Sequence, residues 1–173
     1  MPPTPRWLWL RVLSFTLLLP CTIVAFAPYL WIVGPERVAS AWPPDAAHAL
    51  GFVPILLGLG VYVACAWRFA VDGLGTPAPY DPPRRLVTRG LFRWTRNPFY
   101  VGIVSILLGE AALFASRAML WYALALAVAF HLRVLLYEEP ELRRLFGDAF
   151  ERYAAEVPRW LPRLTRRARR TPA

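Results

Sequence analysis

Four runs of apolar residues, 7–33, 46–70, 99–115 and 118–137, restrict this chain more than any motif in it. A helix rises about 1.5 Å per residue, so about 20 apolar residues cross the roughly 30 Å hydrocarbon core of a bilayer. With 57% of its residues hydrophobic and 18% charged, the chain of 173 residues exceeds the apolar share of a soluble domain. The expected fold is an all-α integral membrane protein of about four transmembrane helices. It has a tight C-terminal helical hairpin, an interfacial loop rich in arginine and proline, and a C-terminal amphipathic helix. All 20 basic residues are arginine and the net charge is +9. Arginines between spans act as topology signals, so no nucleic-acid partner is expected.

The first run exceeds one span, and Pro20 gives it a place to kink. Arg6, Arg11 and the small residues around Ala25 and Ala27 also resemble a secretory signal, but the run continues through Tyr29, Leu30 and Trp31, which favours a retained helix. Cys21 and Cys65 lie inside apolar runs, without metal or disulfide spacing, and are read as membrane-buried. In the second run Gly51, Gly58, Gly60 and Ala64 permit close helix approach, and Arg68 reaches back to the interface.

Residues 71–98 form neither span nor tail. Pro77, Pro79, Pro82 and Pro83 exclude a continuous helix, and Arg84, Arg85, Arg89, Arg93 and Arg96 interleave with Leu86, Leu91, Phe92 and Trp94, which suits an anionic headgroup layer. Only Ser116 and Arg117 separate the third and fourth runs, so a tight hairpin is expected, with Gly102 and Gly109 letting its two helices sit close. Glu110, inside the third run, either pairs with Arg117 or lines a cavity. Arginine placement puts both termini in the cytoplasm and the loop 71–98 on the same side as the tail from Glu138. The expected organisation is a single membrane domain over 1–173. It comprises two N-terminal helices (1–70), an interfacial loop (71–98), the hairpin (99–137), a cytoplasmic helix walling a cofactor pocket (138–159) and a basic tail (160–173). An inner or plasma membrane is expected.

At His131 to Arg159 the apolar run turns abruptly into a charged segment. Pro140 disfavours helical geometry at Glu139, which predicts a break there and a new helix to about Ala155 with Leu142, Leu145, Phe146, Phe150 and Tyr153 on one stripe. Glu138 and Glu139 would suit the new helix's dipole at roughly 0.3–1 kcal/mol each. That leaves His131 and Arg133 unexplained, because polar groups at this depth need partners.

The motif around Asn97, Pro98, Tyr100 and Gly102 occurs after LVTRGLFRWTR. With the later pattern Glu138-Glu139, Leu142, Phe146-Gly147, Phe150, Tyr153 and Val157-Pro158-Arg159, it resembles the isoprenylcysteine carboxyl methyltransferase and phospholipid methyltransferase superfamily. The resemblance covers 75–159. It implies a membrane enzyme that uses S-adenosylmethionine to methylate a lipophilic acceptor, such as a prenylated cysteine carboxylate or a phospholipid amine. The implied cofactor-binding residues are Arg96, Asn97, Pro98, Tyr100, Gly102, Glu138, Glu139, Leu142 and Tyr153, and the candidate catalytic residues are Glu138 together with His131 and Arg133, the polar groups at the end of the fourth run. Glu138 and Glu139 would accept hydrogen bonds from ribose hydroxyls or an ammonium, and Arg133 or Arg96 would meet the cofactor's carboxylate.

Two positions depart from the family pattern: Asn97 stands where histidine is frequent, and Phe150 where tyrosine is common. A carboxylate acceptor needs no base; an amine does, and His131 is the imidazole placed to serve, beside the plainer reading of a hydrogen-bonded buried ring. No metal site is expected. The expected partners are membrane lipids and a lipophilic or prenylated substrate, and oligomeric state is not legible. Competing readings are an NADPH-dependent reductase of the sterol-reductase type and a non-catalytic membrane scaffold.

Overall fold

The computed structural model describes residues 21–34, 44–73 and 85–161, and these are helical with no strand among them. Helix α1 spans Thr22–Val33, α2 Ala46–Asp72, α3 Pro98–Leu113, α4 Arg117–Phe146 and α5 Asp148–Glu156, with a single 3-10 turn, Gly90–Arg93, before α3. The part of the first apolar run before Cys21 and the prolines of 74–84 lie outside the described residues.

Two helices, α2 and α4, are long and apolar enough to cross a membrane; α1 and α3 are apolar but shorter. Only 22% of the apolar window of either long helix is buried inside the protein, which separates them from the core helices of a soluble domain. Leu56, Val63 and Trp67 of α2 and Trp121, Val128 and Leu136 of α4 all face outward. Cys65 is buried inside the protein, and Cys21 faces outward just before α1.

Local chemistry sets the helix ends. Asp45 caps α2 by accepting from the His48 backbone N–H at 2.8 Å, and Ser116 caps α4 by accepting from Met119 at 3.3 Å. Pro98 sits in the first turn of α3, where its missing N–H costs nothing. Residues 114–116 join α3 to α4, with Ala115 in the left-handed region at φ 44°. Leu107 and Ala111 of α3 and Met119, Ala123 and Phe130 of α4 share a buried cluster with Tyr62 of α2.

The glycines expected to tighten the α3–α4 hairpin pack elsewhere. A Cβ on Gly58 of α2 would lie 2.5 Å from the Gly102 carbonyl oxygen, and one on Gly51 would lie 2.5 Å from that of Gly109. Gly102 and Gly109 therefore bring α3 onto α2. Residues 51 and 58 share one face of α2 just as 102 and 109 share one face of α3, so the two stripes meet backbone to backbone.

The break expected at Pro140 is absent. Glu139 keeps right-handed helical geometry at φ −64° and ψ −43°. Immediately before the proline, Val134–Glu138 widens into a π-helical turn in which the Glu139 N–H bonds to the Val134 carbonyl. Widening moves the carbonyl that a proline ring would otherwise strike, so the helix passes through. The chain turns instead at Gly147, whose φ of 48° and ψ of −127° suit glycine alone, and this divides the expected helix into the end of α4 and α5. Phe150 of the predicted stripe is buried, but Leu145 is exposed.

Candidate functional site

The segment 85–97 and the C-terminal segment close over one end of the bundle through a set of hydrogen bonds. Arg96 donates its backbone N–H to the Pro158 carbonyl at 2.9 Å. Thr95 Oγ1 and Asn97 Nδ2 both donate to the Arg159 carbonyl, at 2.9 and 3.0 Å. Tyr153 donates its hydroxyl to the Phe92 carbonyl at 2.8 Å, and burial raises its pKa. Asn97 and Tyr153, expected to hold a cofactor, thus tie the loop to the tail, a task an amide performs as a pure donor at Nδ2.

Glu138 and Glu139, adjacent in sequence, point to different partners. Glu139 is 4% exposed and receives two hydrogen bonds from Arg159, Nε to Oε1 at 2.7 Å and an Nη2 bond to Oε2 at 3.0 Å. Arg96 and Arg143 lie 3.3 and 3.7 Å from the same carboxylate. From Arg117, about 20 residues at 1.5 Å each would fill a roughly 30 Å hydrocarbon core by Leu136, short of Glu139. Burial raises its pKa, but the Arg159 hydrogen bonds and the charges of Arg96, Arg159 and Arg143 outweigh this and leave it below the ordinary value. The same hydrogen bonds raise the pKa of Arg159. Arg96 is 12% exposed, burial lowers its pKa despite Glu139, and its Nε is buried without a hydrogen-bond partner among the described residues.

The second group sits one helix face away. Tyr100 donates its hydroxyl to Glu138 Oε1, and Arg133 Nε donates to the same oxygen at 2.9 Å and to the Tyr100 hydroxyl at 3.2 Å. The Tyr100 ring stacks on Phe130, with centroids 4.4 Å apart. His131 lies beside this trio, its Nδ1 accepting from the Trp160 indole N–H at 2.9 Å. Indole is a donor only, so the neutral His131 ring carries its proton on Nε2.

A cavity of about 560 Å³ opens between α3 and α4, with Tyr100, Ser105, His131 and Trp160 as its polar rim and Val104, Leu108, Leu124 and Val128 among its apolar walls. Pro98 is buried at the start of α3, and Leu142 is half-buried one turn beyond Glu138. Gly102 is occupied by its contact with α2 and offers no open backbone to a ligand. Trp160, which falls in the expected basic tail, and Thr95, which carries no sequence signal, both join the site, as does Arg159, whose sequence signal is only the end of a motif. Among the described residues no group of three or more His, Cys, Asp and Glu could hold a metal.

Residues 46–149, more than half of the chain, match the phospholipid methyltransferase family. The chain is 36% identical over 78 residues to the protein-S-isoprenylcysteine O-methyltransferase of Schizosaccharomyces pombe, covering 44% of this chain and 33% of that protein. It is 27% identical over 136 residues to the phosphatidylethanolamine N-methyltransferases of Arthroderma benhamiae and Trichophyton verrucosum, covering 69% of this chain and 14% of each. The chain thus spans 33% or less of the length of these relatives. No solved structure matches it. By the extent of the family match, the chain belongs to the phospholipid methyltransferase family.

Proposed function

We propose that this protein is an S-adenosylmethionine-dependent membrane methyltransferase acting on a lipophilic acceptor. The observation that carries the reading is an apolar cavity lined by Tyr100, His131 and Trp160, with Glu138 and Arg133 hydrogen-bonded to the Tyr100 hydroxyl. Four spans, both termini cytoplasmic and a single membrane domain over 1–173 complete the proposal. The helices α2 and α4 and the arginine distribution support it.

The residues present suit the cofactor chemically. Arg96, with its buried unpartnered Nε, is matched to a carboxylate, and Glu138 offers acceptor oxygens for ribose hydroxyls or an ammonium group. Glu139, committed to Arg159 and Arg96, holds the walls of the pocket in place. When bound, S-adenosylmethionine supplies an electrophilic methyl group to the acceptor's lone pair. The protein's contribution is positioning and water exclusion: the apolar cavity takes the acceptor's hydrocarbon, and Tyr100 and Arg133 fix the Glu138 carboxylate.

Of the two acceptor classes, the His131 geometry favours a carboxylate. His131 Nδ1 is already engaged by Trp160 and Nε2 carries the proton, so the ring offers a hydrogen-bond donor to an acceptor oxygen. Deprotonating an amine would first require the Trp160 bond to break. Thermal unfolding of the purified protein with S-adenosylhomocysteine or NADPH tests the cofactor. Protection by the former alone is expected, and protection by NADPH alone overturns the reading in favour of a reductase.

A further inference from the structure

A second cavity, of about 440 Å³, lies at the other end of the bundle, between α1 and the joined ends of α3 and α4. Its walls include Pro28, Tyr29 and Leu30 of α1, Glu110 of α3, Phe114 of the α3–α4 connection and Met119 of α4. It is separate from the cavity beside His131. Glu110 is ten residues from Tyr100, about 15 Å along α3 at 1.5 Å per residue. At about 100° per residue, Glu110 also lies on a different face of α3 from Val104 and Leu108.

Glu110 is the acidic group in this apolar lining. The ion pair with Arg117 that the sequence allowed is not formed: no ion pair joins them among the described residues, and Arg117 is exposed. Oε2 of Glu110 is buried and has no hydrogen-bond partner among the described residues. A carboxyl group left so in apolar surroundings costs free energy that a suitable ligand would recover.

We infer that this cavity is a second binding site, for a lipophilic amine, with Glu110 meeting its protonated nitrogen. A cation complements the carboxylate, and the lining includes two aromatic residues, Tyr29 and Phe114, a residue type that attracts cations. The remaining apolar surface accommodates a hydrocarbon body, and the volume lies in the range of small-molecule sites. The inference does not rest on methyl transfer, since the site is remote from Glu138.

The test uses the full-length protein in lipid nanodiscs with a diazirine-bearing octylamine as photoprobe, competed by octylamine or by octanol. Labelling is mapped by mass spectrometry. Saturable labelling within 24–33 and 110–119 is expected, with octylamine competing at least tenfold better than octanol. Glu110→Gln should abolish that preference, and Met119→Trp, which fills the cavity, should abolish labelling by the amine. Labelling confined to other segments, or equal competition by the two compounds in the wild type, overturns the inference, as does stronger competition by octanol. Should Glu110→Gln fail to fold, Leu30→Trp decides in its place: retained saturable labelling there overturns the inference, and its loss supports it.

Discussion

Glu138→Ala and Glu139→Ala separate two roles that sequence adjacency hides. Removing the Glu139 carboxylate leaves Arg159 and Arg96 facing each other without their counter-ion, and breaking a buried ion pair on one side costs about 3 kcal/mol or more. Chemical denaturation in detergent should show that loss. Glu138→Ala should cost less than about 1 kcal/mol, because its partner Arg133 is 40% exposed, while abolishing protection by S-adenosylhomocysteine. The Glu139 pKa is lowered in the folded protein, so its contribution is present above the ordinary value of 4.5 and is lost as pH falls through the lowered value. The stability gap between wild type and Glu139→Ala should therefore be flat near neutrality and close in acid. Trp160→Phe keeps the ring and removes the donor; nitrogen NMR should then show the His131 proton distributed over both nitrogens rather than held on Nε2. Tyr100 and Glu138 were legible as candidates because a family pattern marks them, and Arg133 because a charged group at the end of an apolar run needs a partner. Trp160 was not, since a contact across 29 residues is made by tertiary packing and an indole next to an arginine-rich tail carries no local signal.

At the scale of elements, apolar run lengths located α2, α3 and α4, but which helices touch was less readable. Glycines spaced by seven declare a close face without naming the neighbour, and here the facing stripe is on α2. Gly58→Ala should accordingly destabilise by about 1–3 kcal/mol through overpacking against the Gly102 carbonyl. Gly60→Ala, which meets nothing within 4 Å, should stabilise by about 0.5–1 kcal/mol through helix propensity. Thermal denaturation of the two variants side by side separates them. Pro140 misled in a different way. A proline usually ends a helix, and only the compensating wide turn at Val134–Glu138 lets α4 continue, a feature with no residue signature of its own. That turn sets the bearings of Arg133 and Glu138 relative to Tyr100, so Pro140→Ala should weaken S-adenosylhomocysteine protection without lowering stability.

For the whole molecule, the outward-facing apolar surfaces of α2 and α4 and the closure of residues 85–97 onto the C-terminal segment form one consistent arrangement. The charged end of α4 gathers the polar groups at one end of the bundle, and the apolar cavity runs from there between α3 and α4. Opposite ends of α3 serve different sites, Tyr100 at the proposed transfer site and Glu110 at the proposed amine site. The most direct measurement of the central claim is transfer of a radiolabelled methyl group from S-adenosylmethionine into a total lipid and peptide extract by the purified full-length protein, with Glu138→Ala assayed beside it. Label in a lipophilic acceptor with the wild type, reduced at least a hundredfold in Glu138→Ala, is the predicted result. Equal labelling by the two proteins would contradict the site, and no labelling of any acceptor by a folded wild type would contradict the activity.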